Sequence, residues 1–592
     1  MRMRKKGLPL ILAAALLLTT SPTAIGFAQT EVPMETKLVN VAKNQNVIAL
    51  GGTKNGEPGN VNDDNFGSRW IGPPPGNVEN QAPTLTFDLQ RRYPVESIII
   101  FDNESDGVTS VNRGRFQILG SDTSNFAESA VLYDADIAAE DLNTVFPVGS
   151  EYCITLPQKP AYRYIRYQAK DKGFLNVKEI QIWANVNVTE ISRNCTTYTT
   201  PNFQAASNTG DKAVDGKLDN DYYGCKAVSE YPGYFSTFTV DLGSAKHVGL
   251  VELYGRRNIQ NLDADGYFTL FGSNEGTVTD FTQSPAEGGT AYAAMNETDF
   301  KALGYTQIVR HHARVNAYTF TGNGNTTLAS YPKFTRTTEE KLVYDPYPKL
   351  TDEAPYAYTT MMNQESAYRY ITHRKTEASY MSQLAEFRAY ALNPEAYELC
   401  NITADGVTVR FSDFNMDAAS LTANTLQVLD ASGNVVEGAI ASVTLADNGA
   451  DAALRFAAGK LTGGTAYTLT VGEEVQNTYG TKTSAVKELP FTTPAASEPY
   501  DITDVQISTF DATAANSFSF TFTNNTAVGK RVLAAIALYN GSKIVSVEPQ
   551  VKPVVADGGT ETFSVTAQNS TATSMKVFLW DADTLAPIPY RY

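Results

Sequence analysis

Two loops in the first two thirds of the chain are rich in oxygen-bearing side chains. They offer Asp63, Asn65 and Ser68 in the first loop, and Asp215 and Asn220 in the second, where Lys217 can add only its backbone carbonyl. A hard cation such as Ca²⁺ takes about six to eight oxygen ligands from carboxylates, amides and carbonyls. Both loops are therefore candidate structural calcium sites. Each loop can also close without a metal, as an Asx turn.

A second group of residues has the chemistry of sugar recognition. Residues 254–258, Tyr-Gly-Arg-Arg-Asn, directly follow an apolar segment that predicts a strand. A sugar ring offers an apolar face to aromatic side chains and pairs of hydroxyls to a rigid, bidentate guanidinium. The predicted ligand contacts, some of them on neighbouring loops, are Arg256, Arg257, Tyr231, Tyr234 and His373. The alternative is that the two arginines form surface ion pairs.

The sequence lacks the common signatures of enzymes. Gly-x-Ser-x-Gly, a phosphate-binding P-loop and His-Glu-x-x-His do not occur. Counting residues does not exclude a glycosidase-like pair of carboxylates, because the chain has 64 acidic residues from which such a pair could come. However, every segment resembles part of a small β-domain, and no stretch remains for a catalytic barrel. We predict no catalytic activity; the alternative is a carbohydrate-active enzyme with its site in the second repeat copy described below.

Net charge and cysteine content exclude other classes. The charge of −17 over 592 residues leaves no basic surface to attract nucleic acid or an anionic membrane. Four cysteines are too few for a disulfide-dense scaffold. Cys195 and Cys225 are the best candidates for a disulfide because they lie within one predicted domain. Cys153 and Cys400 have no evident partner, and the alternative is that all four are free thiols.

The N-terminus has the layout of a signal peptide. Four basic residues precede an apolar run from Leu8 to Leu18, and Gly26 and Ala28 are small residues suited to signal peptidase. Cleavage after Ala28 would remove residues 1–28. No later stretch approaches the roughly 18 apolar residues of a transmembrane helix. We expect a protein that is secreted or retained at the cell surface, without membrane insertion.

The chain contains an internal repeat on the scale of whole domains. The elements that recur in the same order are the acidic loop, an Asp-Leu strand (88–89 and 241–242), Phe-x-x-x-Gly-Ser (116–121 and 268–273), the pentapeptide Ala-Tyr-Arg-Tyr-Ile (161–165 and 367–371) and a strand with one glutamate (Glu179 and Glu386). The segments are short, alternating and rich in β-branched and aromatic residues, with turn residues between them. This pattern is typical of all-β sandwiches.

Both copies resemble discoidin domains, also called factor V/VIII type C domains, of the galactose-binding-like superfamily. The resemblance spans residues 36–185 and 188–392, the second with an insertion around 277–360. It implies a jelly-roll sandwich of about eight strands with binding loops at one end. In the carbohydrate-binding members, the acidic loop shares a structural Ca²⁺ with a glutamate near the last strand. That implies Glu179 and Glu386 as further metal ligands.

The same resemblance bears on the sugar contacts. In discoidin-type lectins an arginine at the corresponding strand end is a frequent sugar contact, which implies this role for Arg256. The first copy has Phe-Asp-Asn-Glu at 101–104 instead and lacks that arginine. Arg113 or Arg115 is the candidate substitute there, unless these arginines too form ion pairs.

The rest of the chain is also rich in predicted strands. Residues 396–494 resemble bacterial Ig-like domains of S-layer type, and residues 500–592 resemble small β-sandwiches at the ends of clostridial surface proteins. The predicted fold class is therefore all-β: two jelly rolls in tandem, then an Ig-like sandwich and a small C-terminal sandwich.

These observations lead to one preferred function. We expect a noncatalytic, multidomain protein of the cell exterior that binds glycans or glycoproteins through its discoidin-like modules, with cell-wall components as further partners. Two modules in tandem can gain avidity if both engage together. The first alternative is a structural or adhesive protein whose ligands are proteins.

Overall fold

The computed structural model describes most of the chain after the predicted signal peptide. The described residues are 34–63, 68–73, 82–102, 112–199, 207–217, 223–224, 236–255, 268–274, 298, 301, 305–311, 319–321, 325–327, 333–336, 342–345, 357–362, 367–375, 383–494 and 500–588. Residues 1–28 lie outside these ranges. None of the helices within the ranges has the length and apolar character needed to cross a bilayer.

The first repeat copy is a sandwich of two antiparallel sheets. Its elements are β1 (Glu35–Asn40), β2 (Asn46–Leu50), a 3-10 helix (Pro58–Val61), β3 (Trp70–Gly72), β4 (Thr84–Asp102), β5 (Arg115–Ser121), β6 (Ser129–Asp136), α1 (Leu142–Val145), β7 (Glu151–Thr155), β8 (Ala161–Ala169) and β9 (Leu175–Glu190). One sheet has the order β2-β4-β8-β5-β6. In the other, β9 pairs with β1, β3 and β4, and β4 pairs with β7.

Strand β4 belongs to both sheets because its register shifts between Asp88 and Tyr93. Gln90 in this segment has a φ of 66°, and its N–H donates to Asp88 Oδ1 at 2.9 Å. The part before the shift pairs with β2 and β8, and the part from Val95 onward pairs with β7 and β9. One strand thus connects the two layers around a common apolar core.

The second copy repeats this arrangement. Its elements are β10 (Thr196–Thr199), a 3-10 helix (Gly210–Ala213), β11 (Tyr223–Gly224), β12 (Thr237–Lys246), β13 (Leu250–Gly255), β14 (Phe268–Ser273), β15 (Thr306–His311), β16 (Thr319–Thr321), β17 (Asn325–Thr327), β18 (Lys333–Arg336), β19 (Leu342–Asp345), β20 (Ala357–Met361), β21 (Tyr368–Lys375) and β22 (Gln383–Leu392). One sheet has the order β10-β12-β21-β14-β15, and the other contains β20-β13-β22 with β11 beside β22. The hairpins β16–β17 and β18–β19 fall within the predicted insertion.

The two copies share a strand. Most of β9 completes a sheet of copy 1, but its last residues, Val188 to Glu190, pair with Leu392 to Tyr390 of β22 in copy 2. The boundary predicted between residues 185 and 188 therefore falls inside a strand. As a result, one sheet of each copy joins into a single continuous sheet.

Two of the repeated sequence elements form one packing arrangement. A Cβ atom at Gly120 would lie 2.3 Å from the Tyr162 ring, and one at Gly272 would lie 2.5 Å from the Tyr368 ring. Any side chain at either glycine would overlap the ring, so the tyrosine packs directly on the glycine backbone. This contact explains why Gly-Ser and Tyr-Arg-Tyr recur together in both copies.

Two further sandwiches follow. The first contains β23 (Ala396–Cys400), β24 (Gly406–Phe411), a 3-10 helix (Ala418–Ser420), β25 (Leu426–Leu429), β26 (Ile440–Leu445), β27 (Asp451–Phe456), β28 (Ala466–Val471) and β29 (Lys487–Thr492), in sheets β23-β24-β27-β26 and β25-β28-β29. The second contains β30 (Tyr500–Ile507), β31 (Asn516–Asn524), β32 (Lys530–Asn540), β33 (Lys543–Val554), β34 (Gly559–Ala567) and β35 (Ser574–Asp581), in sheets β30-β31-β34 and β33-β32-β35. Each has its own apolar core. The predicted all-β fold class is thus confirmed.

The chain divides into two compact units. The first comprises residues 1–394 with 479–484, and the second comprises 395–478 with 485–592. No disulfide joins the three described cysteines, which are Cys153, Cys195 and Cys400. Cys225 lies outside the described residues, so its pairing with Cys195 stays a prediction.

Candidate functional site

The acidic loop of copy 2 turns at Gly216, directly after the 3-10 helix that ends at Ala213. Gly216 has a φ of 82°, which glycine adopts without strain. The Lys217 N–H donates to Asp215 Oδ1 at 2.9 Å, and Lys217 Nζ lies 3.5 Å from Asp215 Oδ2. Asp215 therefore forms an Asx turn that holds the backbone of this loop.

Glu386 of β22 reaches this loop. Its neighbour Phe387 packs in the core, so by strand alternation Glu386 lies on the outer face of the sheet, where it is nevertheless fully buried. Gly216 N–H donates to Glu386 Oε1 at 2.9 Å, and Oε2 has no hydrogen-bond partner among the described residues. Burial raises the pKa of Glu386 to about 8, against the lowering influence of Arg388. One oxygen of this buried carboxyl group thus accepts a hydrogen bond from the acidic loop, and the other has no donor among the described residues.

Arg388 borders this carboxylate on the same strand. Its Nε lies 3.8 Å from Glu386 Oε1, and its Nη2 donates to Gly216 O at 3.5 Å. Its guanidinium also lies over the Tyr254 ring, 5.1 Å from the centroid. The arginine compensates part of the negative charge, but it leaves Glu386 Oε2 open.

The donor set of this site fits Ca²⁺, because every candidate ligand is an oxygen. Glu386 Oε2 and the Asp215 side chain would hold the ion, and Lys217 would supply its carbonyl. The predicted ligands Asn220 and, in copy 1, Asn65 lie outside the described residues. Within the described ranges, no three acidic, histidine or cysteine side chains come together as a metal-binding group. Backbone carbonyls would therefore have to complete the coordination shell.

Copy 1 places its acidic loop in the corresponding position. The Asn44 N–H donates to Asn62 O at 2.9 Å, a hydrogen bond that has its counterpart in copy 2. Ser68 Oγ lies 3.1 Å from each carboxylate oxygen of Asp63 and donates to that group. Glu179 is fully buried on β9, at the position equivalent to the glutamate of copy 2. Of the ligands predicted in this loop, Asp63 and Ser68 are thus brought together by a side-chain hydrogen bond.

The sugar-binding end predicted for copy 2 is the end where β13 and β21 finish and β12, β14 and β22 begin; we call it rim 2. The strand ends that define it are Gly255, Lys375, Thr237, Phe268 and Gln383. The predicted contacts Arg256, Arg257, Tyr231 and Tyr234 lie outside the described residues. Their role therefore stays a prediction from the sequence.

His373 lies within β21 and not on a loop as predicted. Its ring is fully buried, with its centroid 4.9 Å from that of Phe268. Burial and the neighbouring Lys375 lower the pKa of His373 well below its usual range, so the ring is neutral. This position assigns His373 to the interior of the sandwich, behind rim 2.

The equivalent end of copy 1, where β4 and β8 finish and β5 and β9 begin, is called rim 1. Arg113 is buried there; its Nη1 donates to Asp102 Oδ2 at 3.1 Å and its Nη2 to Asn143 Oδ1 at 2.6 Å. Arg115 Nε lies 2.8 Å from Asp171 Oδ2. Both arginines are therefore in ion pairs, the alternative that the sequence left open for them.

Sequence reasoning missed the aromatic residue of rim 1. Phe174 is partly buried immediately before β9, and the exposed Lys54 places its Nζ 4.7 Å from the Phe174 ring centroid. Asn112, fully buried, donates from Nδ2 to Phe174 O at 3.4 Å and so anchors this segment. The position directly ahead of the last strand, next to the predicted binding loops, is the signal that could have identified Phe174.

Comparisons with known proteins give one family match. Residues 391–493 match the bacterial Ig-like domain family, in agreement with the third predicted domain. No curated protein sequence matches the chain.

The solved structures that are similar to this chain include lectins and carbohydrate-binding modules. A fucolectin from striped bass serum is 13% identical with a TM-score of 0.21, covering 60% of this chain and 99% of its own. A fucose-binding module of Streptococcus pneumoniae is 13% identical with a TM-score of 0.20, and the match covers 34% of this chain and 95% of the module. A family 32 carbohydrate-binding module of Clostridium perfringens NanJ, solved with galactose, is 15% identical with a TM-score of 0.19. The match covers 25% of this chain and 99% of the module.

Proposed function

We propose that the chain is a secreted or cell-surface, noncatalytic protein that binds glycans at the rims of its two jelly rolls. The observation that carries this proposal is the pairing of Phe174 with Lys54 at rim 1. An aromatic face packs on the apolar face of a sugar ring, and an ammonium on a flexible stem donates hydrogen bonds to its hydroxyls. Buried Asn112 donates a hydrogen bond to the backbone carbonyl of Phe174, so the backbone that carries the ring is anchored before a ligand arrives.

Rim 2 is proposed as the second site. Arg256 and Arg257 directly follow Gly255, the last residue of β13, and Gly255 corresponds to Asp102 in copy 1. A guanidinium at this strand end has a planar, bidentate fork suited to paired hydroxyls. Tyr231 and Tyr234 are the aromatic candidates of the same rim.

Calcium has a structural role in this proposal. The ion would connect the acidic loop of each copy to the last strand through Glu386 in copy 2 and Glu179 in copy 1. The buried, donor-free Oε2 of Glu386 supports this role in copy 2. The Ig-like and C-terminal sandwiches serve as spacers, and glycoproteins or cell-wall components are the partners.

A glycan array probed with the full chain tests the function. Phe174→Ala and Lys54→Ala are expected to weaken binding at rim 1 by about tenfold, which corresponds to about 1.4 kcal/mol. Arg256→Ala should do the same at rim 2. Val131→Ala is the matched control, since it removes an exposed apolar side chain from the edge strand β6, away from the rim. Two results together would favour the protein-binding alternative. The chain would bind no glycan on the array, and it would capture matrix or cell-wall proteins that free sugars do not displace.

The noncatalytic part of the proposal has its own test. The purified chain is incubated with a panel of chromogenic glycosides, and release of the chromophore is followed over many hours. We expect no turnover above the buffer blank. Hydrolysis that persists through chromatography of the chain would instead establish a glycosidase.

A further inference from the structure

The shared strand β9 determines how the two rims are oriented. β9 begins at rim 1 with Leu175, and β22 begins at rim 2 with Gln383. The two strands are antiparallel and overlap only through three residue pairs at their far ends, Val188 to Glu190 with Leu392 to Tyr390. Following β9 away from rim 1 and then β22 backwards leads straight on to rim 2. The rims therefore lie at opposite ends of the continuous sheet.

The separation of the rims follows from strand geometry. The path runs from Leu175 to Val188, crosses to Leu392 and continues to Gln383. At about 3.3 Å per residue this path measures about 70 Å, an upper bound because twisting and coiling shorten a sheet. Because the rims lie at opposite ends of this continuous sheet, one flat surface cannot contact both of them.

The junction between the copies is packed rather than hinged. Arg91, which is buried, donates from Nη1 to Leu392 O at 3.0 Å and from Nη2 to Asn393 O at 3.2 Å. Asn44 Nδ2 donates to Thr360 Oγ1 at 2.7 Å. One apolar cluster contains side chains from both copies, including Val39, Val186 and Val188 with Leu250, Met361 and Leu392.

An ion pair crosses the same junction. Lys37 Nζ of copy 1 lies 3.2 Å from Glu252 Oε1 of copy 2, and both side chains are largely buried. Glu252 Oε2 also accepts hydrogen bonds from Tyr390 Oη at 2.9 Å and Tyr254 Oη at 3.0 Å. With a shared strand, a shared core and a satisfied ion pair, no segment is left to act as a flexible linker between the copies.

We infer that the tandem jelly rolls bridge two separate glycan-bearing surfaces, one at each end, instead of attaching twice to one surface. This inference rests on the proposed glycan binding at both rims. Bridging takes the place of the avidity that two modules in tandem would gain on one surface, because the two rims cannot engage one surface at the same time. The partners are therefore two particles, cells or glycoprotein layers that carry terminal sugars.

The orientation is tested first, without any glycan. Lys172, exposed beside rim 1, and Lys217, exposed on the loop whose Gly216 contacts Glu386 near the start of β22, are both replaced by p-acetylphenylalanine and spin-labelled. This route leaves the native cysteines untouched. We expect a narrow distance distribution centred at about 50–70 Å, given about 3.3 Å per strand residue. A mean under about 35 Å, or a broad distribution, would overturn the inference whatever the glycans do.

Bridging is tested with mucin-coated beads of two colours. The full chain, first shown to be monomeric by light scattering, should produce mixed-colour doublets in flow cytometry. Two variants each disable one rim: the double variant Phe174→Ala with Lys54→Ala, and the single variant Arg256→Ala. Each should keep fluorescently labelled chain on single beads but reduce the number of doublets by about tenfold or more. The control Val131→Ala should change neither the bead binding nor the doublets. Binding at both rims without doublets refutes bridging. Absence of the chain from all beads refutes the proposed function itself, and bridging with it.

Discussion

Arg369 donates two parallel hydrogen bonds to Asp241, from Nε to Oδ1 at 2.7 Å and from Nη2 to Oδ2 at 2.8 Å. Arg163 makes the same pair with Asp88 in copy 1, at 2.8 and 3.0 Å. The arginine of the repeated Ala-Tyr-Arg-Tyr-Ile and the aspartate of the repeated Asp-Leu are therefore partners across two strands. Two sequence elements that recur together do so because they form one bidentate ion pair.

This ion pair predicts a pH dependence. The hydrogen bonds from Arg369 lower the pKa of Asp241, so its stabilising effect is present above the pKa of the unfolded chain and is lost as the pH falls through the folded pKa. Asp241→Asn should lower the urea midpoint by about 0.3 M at pH 7, and the difference should be smaller at about pH 3, because protonation of the aspartate weakens the pair as the pH falls. Asp136→Asn, at an exposed aspartate, is the control and should leave the midpoint unchanged. A deficit of equal size at both pH values would contradict the role assigned to the charge.

The glycine–tyrosine contact predicts a steric effect. Gly120→Ala should destabilise the protein by about 1–3 kcal/mol, because the added Cβ overlaps the Tyr162 ring. Gly59→Ala is the matched control, since no atom lies within 4 Å of its added Cβ. Urea unfolding followed by intrinsic fluorescence measures both. If the two variants were equally stable, the packing of Tyr162 on Gly120 would not be tight.

The junction ion pair predicts coupling between the copies. Removal of one partner by Lys37→Met leaves Glu252 buried with only two tyrosine hydroxyls, which should cost about 3 kcal/mol. A double-mutant cycle with Glu252→Gln measures the interaction. The unfolding of residues 34–394 should separate into two transitions in the variant, seen by calorimetry. Additive effects with a single transition would show that the pair does not couple the copies.

The calcium site predicts a ligand-dependent stability. At a Ca²⁺ concentration about a hundredfold above Kd, binding should stabilise the folded chain by about 3 kcal/mol relative to the chelated protein. Glu386→Gln should abolish the contribution of copy 2, because the amide has no second anionic oxygen. Glu179→Gln reports copy 1 in the same way. Thermal unfolding in Ca²⁺ and in chelator provides the measurement; identical midpoints in the unaltered chain would rule out both sites.

Local patterns in the sequence were sufficient to predict the fold class. Strand alternation and turn residues act over a few positions, so the all-β fold and the Ig-like domain were predictable from them. The resemblance to discoidin domains implied that Glu386 lies near the Asp215 loop, and in the structure the Gly216 N–H donates to Glu386 Oε1.

Tertiary structure alone decided the burial of His373, the pairing of Arg113 with Asp102 and the sharing of β9 by both copies. The junction joins residues that are far apart in the chain, such as Lys37 with Glu252 and Arg91 with Leu392. Contacts at such separations depend on how whole sheets pack, and no pattern of neighbouring residues encodes them. The opposite orientation of the rims follows from that packing and not from any single motif.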